Sequence, residues 1–378
     1  MKKTIHISRT LVGVLFIFSG LVKAIDPLGL AYKMQEFFEV WAGSGILKGF
    51  MLWLDGHALL FSIIMITLEV VLGVALLLGW RIKHVCWSLL LLMLFFTFLT
   101  SYVLFSGKIR ACGCFGDCIP LTPIQTFTKD IILLSLVVLQ LFNMKYITPI
   151  FNVRTTRTII LSSVFITLGI QWYVLRHLPL RDCLPYKKGN DLLKLRQMPA
   201  DAVPDKFEYV FIYQKNGEKK EFAANSLPDS SWKYVDRKQT LVQKGINNTP
   251  LINDFTFTST SGNDTTTAIL SQPDEYYLLF IKDLDSYPDN WNKDRKLIEK
   301  AAIEKRAIYL VTGQPDKVKE RFTGKFPIDG KPYEPVIFSC DVTAIKTAAR
   351  ANPTVFLMKG PVVRGKWSWV DFGDIIKE

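Results

Sequence analysis

Apolar residues dominate the first half of the chain, where five long runs are almost free of charge. The runs span residues 10–22, 58–80, 85–105, 131–142 and 158–175. The second, third and fifth approach the ~20 apolar residues with which a helix crosses a bilayer, and small polar residues at the ends of the other two extend them to similar lengths. The pattern predicts an α-helical membrane bundle of five transmembrane helices within residues 1–180.

Two segments near the N-terminus need separate interpretation. The first run would also suit a cleaved signal peptide, with Val22-Lys23-Ala24 as the cleavage site, although the bulky Lys23 and the nearby Pro27 favour a retained helix. Residues 30–47 place large apolar side chains beside charges. This pattern predicts an amphipathic helix at the membrane surface, which would cover the loop between the third and fourth runs.

Basic residues indicate which loops face the cytoplasm, because Lys and Arg accumulate there. The N-terminus and the loops after the second and fourth runs are basic and free of acids, whereas residues 26–57 mix both signs. The basic positions are Lys2, Lys3, Arg9, Arg81, Lys83, Lys145, Arg154 and Arg157. The N-terminus is therefore predicted to be cytoplasmic, and the chain after the fifth run to lie in the periplasm of a bacterial inner membrane. The formal net charge of +12 thus indicates topology and a lipid environment, not nucleic-acid binding.

Three of the six cysteines fall between the third and fourth runs, in residues 106–128, which we call the cysteine loop. They are Cys112, Cys114 and Cys118, and Cys183 follows the fifth run on the same predicted side. Thiols outside the cytoplasm can be oxidised. These positions therefore predict disulfide chemistry.

Cys112 and Cys114 are separated only by Gly113, whose backbone freedom allows the tight turn that pairing them would need. A bridge closed over so short a distance would be strained, and strained bridges exchange readily. Arg110 favours the reactive thiolate, whereas Asp117 opposes it. This pattern favours redox exchange.

Three alternatives to redox exchange stay open for the cysteine loop. The cysteines could form a structural disulfide, such as Cys114 with Cys118, or they could have no role. A metal site is disfavoured, because no histidine lies nearby and the spacing matches no familiar zinc motif. We therefore predict no metal.

Charged residues also interrupt or border the apolar runs. Glu69 lies in the middle of the second run, where an ionisable side chain costs about 2.5–3.5 kcal/mol on insertion scales and must face the bundle interior. Lys23 with Asp26, and Lys129 with Asp130, border the first and fourth runs on the outer side. A proton relay or a contact to a quinone headgroup would use such residues, and simple helix–helix contact is the favoured alternative.

The second half of the chain has the pattern of a water-exposed α/β region. Residues 181–250 form a connector, in which Asn216-Gly217 between alternating apolar positions predicts a β-hairpin. Residues 251–378, which we call the external domain, alternate strands and helices and end in a strand pair. The order predicts a helix-covered sheet.

Several motifs of the membrane half resemble the DoxX-like membrane proteins, in particular the methylamine-utilisation MauE type. They are CGCFGD after the third run, LTPIQTFTKDIILL beyond it, FIFSGLVKAIDPLG and EVVLGVALLLG. The stretches YVDRKQTLVQKG and ANPTVFLMKG resemble a long, fused Bacteroidetes-type form. The resemblance implies a role in periplasmic disulfide formation or redox maturation, together with thioredoxin-like or other thiol proteins. Cys112 and Cys114 match the family's cysteine pair. Cys118 and Cys183 depart from it, and if they pair they could form a second, resolving couple.

The external domain resembles a thioredoxin-like fold, with Pro353 at the position of that fold's cis-proline. It departs from the fold at Leu284-Asp285-Ser286-Tyr287, where thioredoxins carry Cys-x-x-Cys. Cys340 is isolated. The resemblance therefore implies a degenerate domain that binds a partner or guards the membrane cysteines.

The favoured hypothesis is a membrane thiol–disulfide oxidoreductase with Cys112 and Cys114 as the working pair. Arg110, Asp117, Glu69 and Lys23 would support it. Electrons would pass to a quinone, although no motif shows one. The alternative is a non-catalytic scaffold whose external domain docks an envelope protein. Neither hypothesis requires a role in methylamine metabolism.

Overall fold

The protein is represented by a computed structural model, which describes residues 1–45, 47–109, 113, 116–243, 245, 247–288, 291–325, 327–328 and 330–377. Three residues of the predicted site, Arg110, Cys112 and Cys114, lie outside the described residues. Gly113 between the two cysteines and the chain from Gly116 onward are described.

Seven helices form the membrane half, and five of them are long and apolar enough to cross a bilayer. The helices are α1 (Lys2–Ala24), α2 (Pro27–Gly43), α3 (Lys48–Gly56), α4 (Ala58–Leu78), α5 (Ile82–Ser106), α6 (Pro123–Phe142) and α7 (Val153–Arg176). The five candidate spans are α1, α4, α5, α6 and α7. The predicted helical bundle is therefore confirmed. Helix α6 begins well before its apolar run, because Thr122 and Gln125 form a capping box at its start.

The bundle core lies between α1, α4, α5 and α6, and α2 packs onto it from the outer side. Helices α1 and α4 approach closely at Gly73, where an added Cβ would lie 2.8 Å from the carbonyl oxygen of Gly13. Small residues allow such contacts between membrane helices. Met34 and Phe37 of α2 are buried in the same core. Helix α2 is thus a fixed part of the bundle.

The connector contains a short helix, α8 (Leu192–Leu195), and a three-stranded antiparallel sheet. The strands β1 (Lys206–Lys215), β2 (Glu218–Ala223) and β3 (Lys233–Gln243) lie in the order β2-β1-β3. Asn216 and Gly217 form the predicted turn, with φ values of 51° and 89°. The third strand was not predicted from the sequence. Tyr186 and Leu192, which belong to the predicted connector, lie in the core of the external domain.

The external domain is a helix-covered, five-stranded mixed sheet, as the strand–helix alternation predicts. Its elements are α9 (Thr266–Leu270), β4 (Glu275–Ile281), α10 (Trp291–Ile303), β5 (Ala307–Thr312), α11 (Pro315–Phe322), β6 (Pro327–Ile328), β7 (Lys331–Pro332), β8 (Val336–Ser339), α12 (Val342–Ala348), β9 (Thr354–Lys359), β10 (Val362–Ser368) and α13 (Phe372–Lys377). The sheet order is β10-β9-β4-β5-β8. Strands β4, β5 and β8 are parallel, and β9 is antiparallel to both its neighbours. The Asn352–Pro353 peptide bond before β9 is cis.

A hydrogen bond and an ion pair, among the described residues, connect the external domain to the end of the last membrane helix and the segment that follows it. His177 follows α7 and lies 2.7 Å from a carboxylate oxygen of Asp371. The Nζ of Lys366 in β10 lies 2.7 Å from Asp182, and its side chain is buried. These contacts hold the edge of the sheet that contains β9 and β10 near the outer end of the bundle.

Candidate functional site at the junction of bundle and external domain

Helix α2 forms the floor of the junction. Asp26 begins the helix by accepting a hydrogen bond from the backbone N–H of Gly29 at 3.2 Å, and Pro27 occupies the first turn. Since the opposite face of α2 is buried in the bundle, Tyr32 and Lys33 face the cysteine loop and the external domain. The amphipathic pattern of the sequence therefore places these two side chains at the site.

The described part of the cysteine loop turns directly above α1 and α2. Gly113 has a φ of +70°, and its carbonyl accepts a hydrogen bond from the N–H of Gly116 at 2.9 Å. A Cβ built on Gly113 would lie 3.3 Å from Cγ of Lys33, and one on Gly116 would lie 3.8 Å from the carbonyl oxygen of Val22. A residue with a side chain would thus be strained at Gly113 and would crowd Lys33. The residue between Cys112 and Cys114 is held against α2.

Cys118 and Cys183 form a disulfide. This pairing excludes the structural alternative in which Cys118 bonds Cys114. The bridge connects the cysteine loop to the segment that follows α7, across 65 residues of sequence. It therefore fixes the loop beside the start of the connector.

Arg350 of the external domain reaches the loop and the start of α2 at the same time. Its Nε lies 2.9 Å from Oδ2 of Asp26, and its Nη2 lies 2.8 Å from Oδ2 of Asp117. Its side chain is 4% exposed, whereas that of Asp117 is 36% exposed. Asp117, predicted to oppose thiolate formation, is therefore engaged by a buried cation. We call Arg350, Asp26 and Asp117 the junction cluster.

Burial and charge act in opposite directions on the pKa values of the junction cluster. Burial raises the pKa of the Asp26 carboxyl, and the neighbouring Arg350 only partly offsets this effect. Burial alone would lower the pKa of Arg350, but Asp26 and Asp117 together raise it. The guanidinium is therefore permanently charged, and it compensates the two acids.

The edge of the external domain that would carry Cys-x-x-Cys in a thioredoxin contacts α2 instead. The Nζ of Lys282 donates to the carbonyl oxygen of Arg350 at 2.8 Å and to the hydroxyl of Tyr32 at 3.3 Å. Asn352 donates to the carbonyl oxygen of Asp283 at 2.7 Å and to the hydroxyl of Ser286 at 2.9 Å. Burial, aided by the charge of Arg350, lowers the pKa of Lys282 to about 8. Polar side chains thus fill this edge.

A cleft of about 270 Å³ opens beside the junction cluster, between α2 and α12. Its lining combines both signs of charge with hydroxyl groups: Tyr32, Lys33, Glu36, Glu39, Asp117, Thr343, Lys346, Thr347 and Arg350. Because Lys33 on its wall lies beside Gly113, and Asp117 of the cysteine loop also lines it, the cleft leads from solvent toward the loop. It is a route by which a polar substrate could approach the loop.

The remaining described cysteines are unsuited to exchange. Burial raises the pKa of the Cys340 thiol to about 12, so Cys340 is a thiol at neutral pH and not a nucleophile. Cys86 is fully buried in α5. Among the described residues, no three His, Cys, Asp or Glu side chains come together as metal ligands.

Lys23 and Glu69, predicted as supporting residues, form a buried ion pair between α1 and α4. The predicted site residues therefore occupy two levels. Asp117 and the cysteine loop lie at the junction, and Lys23 and Glu69 lie below it in the bundle. Pro353 follows Asn352 at the edge that faces α2.

Sequence reasoning missed Arg350, which is central to the junction. Its position three residues before Pro353, which the sequence singled out in the external domain, was the available signal. Lys33 was also missed. Its only signal was its place among the charged residues of an otherwise apolar helix.

Comparison with known proteins supports the membrane half most directly. Residues 1–143 match the family model of methylamine utilisation protein MauE, and residues 207–244 match a domain of unknown function, DUF8463. The membrane region is similar to MauE. The predicted family resemblance is thus confirmed for this part of the chain.

One curated relative also shares sequence with this chain. Protein TlpB of Flavobacterium psychrophilum is 32% identical over 137 residues, which cover 35% of this chain and 35% of that protein. The match spans about a third of the length of that relative. No solved structure matches the chain, and the thioredoxin-like fold of the external domain stays a prediction.

Proposed function

We infer that the protein is a membrane thiol–disulfide oxidoreductase, with Cys112 and Cys114 as its exchanging pair. The observation that carries this proposal is the position of Gly113, which lies against Lys33 where the cleft meets α2. Cys112 and Cys114 are the two chain neighbours of Gly113. The ammonium of Lys33 and the masking of Asp117 by Arg350 would both favour a thiolate there.

The exchange needs no group other than the two cysteines and a substrate dithiol. A substrate thiolate attacks one sulfur of the Cys112–Cys114 disulfide, and the other cysteine leaves as a thiolate. The second substrate thiolate then breaks the mixed disulfide, so the substrate is oxidised and the pair is reduced. A membrane quinone would reoxidise the pair by accepting two electrons and two protons, and it would leave as the quinol.

The Cys118–Cys183 bridge supports the predicted orientation. Disulfides persist outside the reducing cytoplasm, and the bridge lies on the side of the bundle that carries the external domain. We place this side in the periplasm and the N-terminus of α1 in the cytoplasm of a bacterial inner membrane. Periplasmic thiol proteins would then reach the loop through the cleft.

The external domain would position substrates without exchanging electrons itself. Among its described residues, Cys340 is the only cysteine, and this thiol is buried. Its contacts with α2 through Lys282 and Arg350 place it as the outer wall of the cleft. It would therefore select which protein segments reach the loop.

The test is thiol trapping in intact cells. Free thiols are blocked with a membrane-impermeant reagent, disulfides are reduced, and the released thiols are labelled with a reagent that shifts gel mobility. Wild type is compared with Cys112→Ser and Cys114→Ser, and Cys86→Ser is the control for a buried thiol. We expect a mixed redox population that becomes reduced when quinone is depleted. A fully oxidised pair that never changes would contradict exchange.

The scaffold alternative has one observation in its favour. The three-stranded sheet of the connector exposes large side chains, among them Phe207, Tyr234 and Val242. A partner that covers this sheet would give the protein a docking role. In that case the Cys112→Ser and Cys114→Ser variants would retain full function, whereas Tyr234→Ser would lose it.

A further inference from the structure

The membrane bundle contains a small cavity below the cysteine loop, and charged side chains form part of its wall. The cavity has a volume of about 20 Å³ and is lined by four charged side chains from three helices. Lys23 comes from α1, Glu69 from α4, and Lys129 and Asp130 from α6. Helix α5 adds only the uncharged Met93 and Phe96 to its wall. We call the four charged residues the relay cluster.

The relay cluster is organised as two ion pairs that share the cavity. Lys23 contacts Glu69 directly, and these side chains are 2% and 3% exposed. Lys129 lies 2.8 Å from Asp130, whose other carboxylate oxygen accepts a hydrogen bond from Thr100 at 3.0 Å. The two positive and two negative charges balance within the cluster.

The volume of the cavity matches the space that one water molecule needs. A cavity needs about 10–15 Å³ by this measure to hold one water molecule, which also requires two to four polar partners. The cavity meets both conditions. One water molecule would connect the two ion pairs.

The relay cluster is also linked to the cysteine loop. A second void of about 10 Å³ is lined by Lys23 and by Lys33 of α2. Lys33, whose Nζ pairs with Glu36 at 2.9 Å, in turn lies beside Gly113. Ionisable side chains therefore lead from the loop through Lys33 and Lys23 to Glu69 and the cavity.

Stability does not explain why two ion pairs are buried here. Replacing a buried ion pair with apolar residues of similar volume is often neutral or stabilising. Charged side chains are expensive inside a membrane and commonly mark proton pathways. A bundle that needed only helix–helix contact could use apolar residues at these positions.

We propose that the relay cluster carries the protons of the redox reaction into the membrane. The inference rests on the proposed function. When quinone oxidises the Cys112 and Cys114 dithiol, two S–H bonds break, one S–S bond forms, and two electrons and two protons pass to the quinone, which becomes quinol. The protons would move from the loop through Lys33 and Lys23 to Glu69, and through the cavity water to the Lys129–Asp130 pair. Lys129, the most exposed of the four side chains, would then pass them to a quinone in the surrounding lipid.

The experiment measures reoxidation of the reduced full-length protein in lipid nanodiscs. A short-chain ubiquinone is one oxidant, and the water-soluble oxidant diamide, which reaches the loop directly, is the other. Wild type is compared with the paired variant Lys23→Met/Glu69→Leu, which keeps volume and removes both charges together. Glu69→Gln, which keeps shape and hydrogen bonding but cannot titrate, is the second variant. Gln140→Leu removes a buried polar group near the opposite end of the bundle, where Gln140 donates to Ser8, and serves as the control.

We expect both relay variants to oxidise normally with diamide. The paired variant should retain the thermal stability of wild type, whereas Glu69→Gln, which leaves Lys23 without its ionic partner, should be less stable. With quinone both variants should react ~10²-fold more slowly, which is typical of lost proton transfer, and they should lose the pH dependence and the solvent isotope effect of the wild-type rate. Glu69→Asp should restore part of the pH dependence and part of the solvent isotope effect. If the variants are reoxidised by quinone at the wild-type rate at every pH, the inference is overturned, whereas the proposed function is unaffected. Failure of quinone to oxidise the wild-type cysteines would instead contradict the proposed function.

Discussion

The relay cluster and the junction cluster are both charged and largely buried, but they are built differently. In the bundle, two cations meet two acids in separate pairs. At the junction, the single guanidinium of Arg350 lies between Asp26 and Asp117. The pairs of the bundle can be neutralised together without leaving an unbalanced charge. Arg350 cannot be removed without leaving two acids facing each other.

This difference separates two tasks that buried charge can perform. Matched pairs around a water-sized cavity suit proton movement, because each group has a neighbour that can take the proton. A shared arginine suits fixed attachment, since its fork holds two carboxylates in one geometry and it stays protonated. The bundle would therefore handle protons, and the junction would hold the external domain over the cysteine loop.

The largest expected effect follows from removing the shared cation. Arg350→Met should destabilise the protein by about 3–5 kcal/mol, as expected when one partner of a buried ionic contact is lost. Most of the lost stability would come from the unpaired carboxylate of Asp26, because Asp26 is the more buried of the two acids. Thermal unfolding in detergent and limited proteolysis between bundle and external domain measure the change.

Lys346→Met is the matched control for Arg350→Met. Lys346 is also on the wall of the cleft, but its described side-chain hydrogen bond is a long one of 3.5 Å to Gln35. We expect this variant to lose less than about 1 kcal/mol. Adding Asp26→Asn and Asp117→Asn to Arg350→Met should recover part of the stability. Equal effects of Arg350→Met and Lys346→Met would refute the attachment role of the junction cluster.

A smaller effect is expected from the covalent anchor beside the same acid. Cys118 is adjacent to Asp117, so the disulfide and Arg350 hold consecutive residues of the loop. Cys118→Ser/Cys183→Ser should cost about 2–4 kcal/mol, the usual range for a native disulfide. When the loss of the disulfide is combined with Arg350→Met, the two decreases in stability should be non-additive, because the disulfide and Arg350 hold the same short segment. Simple additivity in thermal unfolding would mean that the two anchors act independently.

The sequence was a good guide where one physical pattern decided the structure. Apolar runs of membrane length predicted the five spans, and Asn216-Gly217 predicted the hairpin turn. The alternation of apolar strands with helices predicted the helix-covered sheet. Each of these signals is local, since it depends on the period of side chains along one element.

Contacts between distant residues were not predictable in the same way. Arg350 lies 324 residues from Asp26 and 233 from Asp117, and no local pattern specifies that they meet. The pairing of Lys23 with Glu69 was likewise missed, although both residues were singled out by the cost of placing them in or beside a membrane. The third strand of the connector, Lys233–Gln243, was missed because its mostly polar surface gives a weak alternation.

The smallest expected effect is a pH dependence of the junction through Lys282. Its pKa is about 8 in the folded protein, against 10.5 for an ordinary lysine. Between these values the unfolded chain binds more protons, so the free energy of unfolding should rise as pH increases from 8 toward 10. The pKa of Tyr32 is raised to about 12, so ionisation of this tyrosine in the unfolded chain should reverse the trend above pH 10. The charged or titratable groups that face Lys282 are Arg350, Asp283, Lys346, Asp26 and Tyr32.

Lys282→Met isolates this contribution, since the variant keeps all five of those neighbours. In wild type, the gain between pH 8 and pH 10 should be on the order of 1 kcal/mol. The variant should lack this gain and should be at least as stable as wild type at pH 7, where burying the charged ammonium is most costly. The measurement is the midpoint of thermal unfolding in detergent at half-unit steps of pH. Parallel profiles for the two proteins would show that Lys282 is solvated at the junction. The junction would then depend on the Arg350 contacts alone, without the lysine that lies against Tyr32.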